Sequence, residues 1–226
     1  MKRFKTFDRP WLILCEGPGD KYVLDKLLRL HGLDGKFFVE FPGEEAYPSG
    51  GRSKFAKWLS ARRVDSETFR ENVKVVLIVS DNDDSPEDSF KEIMKALKKE
   101  EHFGVPTAPK QLAKKQGAPH IAILMIPIGA KGNLETLCVR AALSKWPLTT
   151  ALDAYVQATP AHTWGLSKQS KMKMQAIIAA TCEQDPDTNL ANLFQKREEF
   201  HVPVNDAVFN EIGQFLRDFE TFLAAA

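Results

Sequence analysis

Glu16, Asp81 and Asp83 each stand where an apolar run ends, Glu16 after LILC and the two aspartates after VVLIVS. Short continuous apolar runs at 12–15 and 75–79 suit parallel strands covered on both faces. Open α/β sheets hold their ligands beyond the carboxyl ends of such strands. Carboxylates converging there, with no thiolate or imidazole among them, make an all-oxygen donor set suited to Mg²⁺ or Mn²⁺ rather than zinc. In the tripeptide DND, a turn leaving the sheet can aim Asp81 and Asp83 at one point, and Asp84 adds further charge. Adjacent carboxylates raise one another's pKa unless a cation or a basic side chain neutralises them. The competing reading is an Asp/Asn-rich turn that feeds a helix cap, because Ser85-Pro86-Glu87-Asp88 reads as a helix start. A second strand ending in Glu-Gly-Pro-Gly-Asp tips the balance toward chemistry.

The elements that must position these acids alternate along the chain. The strand at 12–15 is followed by a helix whose apolar face is Tyr22, Val23, Leu27, Leu28 and Leu30, ending near His31-Gly32. A strand at 37–41 comes next, and the GEEAYPSGG segment after it reads as mobile. In a helix over 52–63, Phe55, Trp58, Leu59 and Arg62 fall at i, i+3, i+4 and i+7. Strand 74–80, helix 87–100, strand 121–126 and helix 133–143 complete the pattern. Four strands separated by helices predict a parallel sheet with right-handed crossovers. Beyond Pro147 the strand signal fades, and 151–157, 167–181, 189–199 and 205–224 read as helices. The expected organisation is an α/β domain over 1–146 with a helical extension over 147–226 packed on it. The stretch 103–120, with three prolines, two glycines and no apolar period, reads as a long loop.

CEGPGD after one strand and SDNDD after a later one resemble the Toprim domain of topoisomerases, bacterial primases, small nucleases and the overcoming-lysogenization-defect (OLD) nucleases. The resemblance covers roughly residues 10–145 and implies a four-stranded parallel sheet flanked by helices. It implies that Glu16 acts as general acid/base or metal ligand and that Asp81 and Asp83 hold Mg²⁺. Asp20 matches the second acid of the OLD branch, four residues after the glutamate. IAILMIPIGAKGNLETL is similar to a strand-loop-helix of stand-alone Toprim-like proteins of unknown function, with Gly132, Leu134 and Glu135 at the matching positions. The same relatives place a lysine beyond the core, and SKMKMQ offers Lys171 and Lys173, with Ser170 where many of them carry an acid. Two residues apart on a helix, these lysines cannot share one direction.

Composition bounds the alternatives. The 226 residues carry 31 basic and 30 acidic side chains, so any nucleic-acid site must be a local patch rather than a whole-protein field. Two patches qualify: Arg52 and Lys57, beside Phe55 and Trp58, and Lys110, Lys114 and Lys115 in the long loop. A solvated helix face over buried aromatics is the plainer account of the first patch. The three cysteines, Cys15, Cys138 and Cys182, lack CxxC spacing and read as buried reduced thiols, which predicts a cytoplasmic protein. Five residues of apolar run before Glu16 are too short for a signal sequence or a membrane span. The five histidines form no HxH or HExxH arrangement, and GPGD lacks the Lys-Ser/Thr of a phosphate-binding P-loop. Neither histidine chemistry nor ATP hydrolysis is expected, although an ATPase partner on a separate chain, or self-association, is compatible.

These features together predict a Mg²⁺- or Mn²⁺-dependent phosphoryl-transfer enzyme, most simply a nuclease. Asp81 and Asp83 would hold the cation, Asp20 and Glu135 a second position, Glu16 the metal or the proton, and a lysine the developing charge. The alternative is a non-catalytic module that grips nucleic acid or phosphate inside a larger, ATPase-containing defence assembly.

Overall fold

In the computed structural model, residues 6–43, 51–196 and 201–225 are described. Strands β1 (Trp11–Leu14), β2 (Phe37–Glu40), β3 (Val75–Asp81) and β4 (His120–Ile126) form one all-parallel sheet in the order β2-β1-β3-β4. The period-2 geometry of a strand sends neighbouring residues to opposite faces, so a strand covered on both sides must be apolar throughout. All seven residues of β3 are buried.

One face carries Leu12, Leu14, Val76, Ile78, Ile121 and Ile123. It packs against α2 (Phe55–Asp65), α3 (Glu67–Asn72) and α4 (Pro86–Glu100). Phe55 and Trp58 are core residues here, and Lys57 on the same helix is exposed. The basic helix is therefore a solvated face over buried aromatics. The short α3 lies in a stretch where the sequence signalled no helix, and Ser66 caps it by accepting from the Phe69 N–H at 3.2 Å.

The other face carries Ile13, Leu77, Val79, Ala122 and Leu124. Helices α1 (Pro18–Leu30) and α5 (Leu134–Lys145) cover it. So do α6 (Thr149–Ala158), α7 (Leu166–Thr181), α8 (Leu190–Gln195), α9 (Asn210–Arg217) and α10 (Phe219–Ala225), which bring Leu152, Ile177, Leu193, Ile212 and Phe219 into the same core. The C-terminal helices thus share a core with the sheet. Residues 44–50 of the segment read as mobile, and 197–199 of the expected helix, lie outside the described residues. Among the described residues no helix is long and apolar enough to cross a membrane.

The 103–120 stretch is not a free loop. It runs along the outer edge of β4, where Lys110 and Ala113 donate to the Ile123 and Ile121 carbonyls at 2.7 and 2.8 Å, and Ile121 donates back to Ala113. This covers the unpaired ladder of the edge strand.

The ends of β3 and β4 are tied together. Buried Asn82 donates through Nδ2 to the carbonyls of Pro127 and Ala130, at 2.5 and 2.6 Å, and the Gly132 N–H donates to the Asp83 carbonyl at 2.8 Å. Gly132 has φ 121°, and a Cβ there would lie 2.6 Å from Thr136 Oγ1, inside the cap of α5. Gly132→Ala is accordingly expected to cost about 2 kcal/mol, measured by denaturant unfolding. An unchanged midpoint would show that the turn can relax.

Candidate functional site

The carboxyl edge of the sheet is where β1 and β3 deliver their acids. Glu16 lies two residues past the end of β1, and its Oε1 accepts from Ser80 Oγ at 2.5 Å and from the Asp81 N–H at 3.1 Å. The end of β3 thereby fixes the side chain that leaves β1. Asp81, the last residue of β3, is buried and accepts through Oδ1 from the Leu134 N–H at 2.9 Å. Leu134 is the first residue of α5, so its N–H lacks an intrahelical acceptor, and the helix dipole favours the carboxylate facing it. Asn133 and Thr136 cap that helix reciprocally. Asp20 sits in the first turn of α1 and accepts through Oδ2 from the Gly17 N–H at 2.9 Å.

Glu16, Asp20 and Asp81 share one pattern. Each takes its structural hydrogen bonds through a single oxygen, and the other, Oε2, Oδ1 and Oδ2 respectively, has no partner among the described residues. The acids also sense one another. Burial, then the carboxylates of Glu135 and Glu16, push Asp20 up to about 7. Burial, then Asp20, Glu16 and Glu135, push Asp81 well above the usual carboxylate range, against the opposing pull of the Leu134 N–H. Burial likewise raises Glu135, with Lys171 working against the rise.

Two cations face this cluster. Lys171 on α7 is pulled down by partial burial, but Glu135, Asp81, Asp83 and Asp20 outweigh that and hold its ammonium above the ordinary lysine value. Arg52, at the start of a short 3₁₀ turn leading into α2, is only 8% exposed. Its guanidinium pairs with Asp83 through Nη2 and lies 3.6 Å from Glu16 and 3.7 Å from Glu92 through Nε. It was expected on a phosphate-binding surface; the structure instead places it inside the acid cluster, as counter-ion to Asp83. A sequence offers little to mark such a residue, because Gly51-Arg52-Ser53-Lys54 reads as exposed basic chain.

The remaining candidates divide by position. Lys173 points away and pairs with Asp153 of α6 at 2.8 Å, while Ser170 lies buried against Thr136 Oγ1. Lys168, which the sequence reading passed over, joins Lys171, Arg52, Asp83 and Asp84 along a groove of about 590 Å³. Asp84 abuts the N-terminus of α7, where a Cβ at Gly165 would overlap its carboxylate. Lys110 lies near the carboxyl half of β4, but Lys115 sits at the opposite end of the sheet beside Lys74 and His120, and Lys114 follows the pairing of Ala113 with Ile121. Lys110 and Lys115 therefore do not line one groove. Cys15 and Cys138 have thiols pushed up by burial, which leaves them protonated and unreactive.

Raised carboxylates make stability fall as pH rises. Asp20 ionises near 3.8 when unfolded and near 7 when folded, so between those values the unfolded chain releases a proton that the folded chain keeps. Without divalent cation, the melting temperature should therefore drop between about pH 4 and pH 7, and Asp20→Asn should flatten the drop. An identical pH profile for the two proteins would refute the shift.

Comparison with curated proteins and with solved structures gives no match. A family model does match, and it takes in the strands, the acid cluster and the C-terminal helices together, over residues 10–223. The chain belongs to the DUF3226 family of proteins of unknown function.

Proposed function

We propose that the chain is a Mg²⁺- or Mn²⁺-dependent phosphoryl-transfer enzyme, most simply a nuclease that cleaves nucleic-acid phosphodiesters in the cytoplasm. The observation that carries this reading is the half-used state of Glu16, Asp20 and Asp81 at one sheet edge. Each is anchored by one oxygen and offers the other, and the charge they share calls for a cation. The resemblance to Toprim domains assigns the same roles to Glu16 and to Asp81 with Asp83.

The donor chemistry fits a hard divalent ion, since every available ligand atom is a carboxylate oxygen. The rotamers present do not close around one: among the described residues no three acids, histidines or cysteines are grouped as a cation would need. Asp81, Asp20 and Glu135 are the residues that would hold it, with Asp83 joining if Arg52 releases it. When bound, such an ion polarises a phosphate oxygen and acidifies a water.

The chain's own groups supply the rest. Glu16, locked through Oε1, keeps Oε2 to accept a proton from the attacking water. Lys171 offsets charge that builds on the phosphate, a contribution that preorganised cations make without reorganisation. Arg52 orients Asp83 and Glu16.

The same arginine favours a second reading. A guanidinium that already neutralises Asp83 and Glu16 suits a non-catalytic module that grips phosphate, working as a subunit beside an ATPase partner.

Hydrolysis of DNA and RNA with Mg²⁺ or Mn²⁺ separates the two. Glu16→Gln should lower turnover by about 10²- to 10⁴-fold with the fold intact, and Asp81→Asn should remove the rise in melting temperature that Mg²⁺ gives the wild type. Stabilisation by Mg²⁺ with no hydrolysis of any nucleic acid would assign the second reading. Neither stabilisation nor hydrolysis would sink the first reading, and failure to bind phosphate as well would sink the second.

A further inference from the structure

Helix α4 presents a lysine face that the acid cluster does not use. Lys91, Lys95, Lys98 and Lys99 fall at i, i+4, i+7 and i+8, all exposed, opposite the buried Phe90, Ile93 and Leu97. Lys91 pairs with Glu87 at 2.7 Å, whereas Lys95, Lys98 and Lys99 have no ion pair among the described residues. From Lys91 to Lys99 the face runs about 12 Å along the helix axis.

That face opens into a cavity of about 650 Å³ between α4, the 107–110 segment that covers the β4 edge, and the 128–130 turn. Its walls are largely apolar, from Phe90, Met94, Met125 and Ile128, with Lys91 and Lys110 among the lining residues. Lys91 and Met94 line both the cavity and the shallower groove along the lysine face, so the two are continuous. The cavity reaches Asn82, which stands between Asp81 and Asp83. On the other side of the first turn of α4, a groove lined by Lys168 and Lys171 reaches Asp83 and its partner Arg52, at the rim of the acid cluster.

We propose that this face is a track for single-stranded nucleic acid, with the phosphates along the α4 lysines and one unstacked base in the apolar cavity, delivering the strand to the acid cluster. The proposal rests on the phosphodiester reading above and names its substrate class. Charge complementarity selects a polyanion, and an apolar chamber of this size beside the lysines selects one that carries a flat group on every charged unit, which an acidic peptide does not. A duplex keeps its bases stacked and cannot fill the cavity, whereas proteins that take single strands combine a basic groove with apolar seats for bases.

Fluorescence anisotropy on the whole chain, in a chelator so that no strand is cut, tests the track. The probes are a single-stranded oligonucleotide, an abasic strand of equal length and charge, and the corresponding duplex. The base-bearing strand should bind at least about fivefold tighter than the abasic one. Ala108→Leu, which fills the cavity from an exposed position on its wall without adding a stacking ring, should erase that preference and leave abasic binding unchanged, and Ala130→Leu should do the same from the 128–130 turn. Replacing Lys95, Lys98 and Lys99 together with Gln should flatten the salt dependence of single-strand binding by about two units of log–log slope. Equal affinity for base-bearing and abasic strands, tighter binding of the duplex, or an unchanged slope in the triple variant would overturn the track. If cation-dependent hydrolysis persists in the face of such a result, only the track is lost. Absence of binding to every probe together with absence of hydrolysis removes the phosphodiester reading as well.

Discussion

The carboxyl edge of the sheet gathers more negative charge than a partly desolvated site holds unaided, and much of the local structure is compensation for it. Desolvation raises Asp81 and Asp20, and mutual repulsion raises them further. Helix N-termini answer part of this, with α5 donating to Asp81 and α7 abutting Asp84. Arg52 and Lys171 answer another part. What remains is carried by protons or, on the proposed reading, by a cation.

The parallel sheet makes the gathering possible. In the order β2-β1-β3-β4, β1 and β3 are neighbours although the chain between them runs through β2 and the three helices α1, α2 and α3. All four strands point the same way, so residues that follow β1 and β3 emerge at one edge. The register then lets the Asp81 N–H reach Glu16. Asn82 contributes differently. Its amide pins the turn after β4, which brings Gly132 and the start of α5 to within reach of Asp83 and Asp81. The tripeptide DND therefore divides its labour, with two outer carboxylates facing the cluster and a middle amide that fixes the frame.

Much of that frame was legible in the chain. Leu12 to Cys15 and Val75 to Val79 read as buried parallel strands because both faces are covered, the helix over 87–100 followed from its start at Ser85-Pro86-Glu87-Asp88, and the helix over 133–143 from the alternation of strand and helix. Less could be read where a residue's partners are far away in sequence. The burial of Arg52 depends on Asp83 and Glu92, 31 and 40 positions on, and nothing local distinguishes it from a solvated arginine. The stretch 103–120 shows neither alternation nor a helical period, since it pairs with β4 at only a few points and its prolines and glycines mask the rest. Lys171 and Lys173 could be told apart only as pointing in different directions; which one faces the acids is decided by α6, whose Asp153 takes Lys173.

The near balance of 31 basic and 30 acidic residues conceals a separation of charge. Buried acids gather at the strand ends, and four lysines line one face of α4, with Glu87 paired to Lys91 at its start. A polyanion that approached the acid cluster head-on would meet repulsion, screened over about 8 Å at physiological ionic strength. Approach along α4 meets lysines first, and the groove beyond its first turn sets Arg52, Lys168 and Lys171 against Asp83, Asp84, Asp88 and Glu92. On the phosphodiester reading, net charge near zero is thus what a site of this kind produces: the acids that would hold a cation and the lysines that would hold a strand cancel in the count and separate in space. On the proposed track that separation would give the strand a direction of entry, set by α4, whose first turn lies between the apolar cavity and the groove at Asp83.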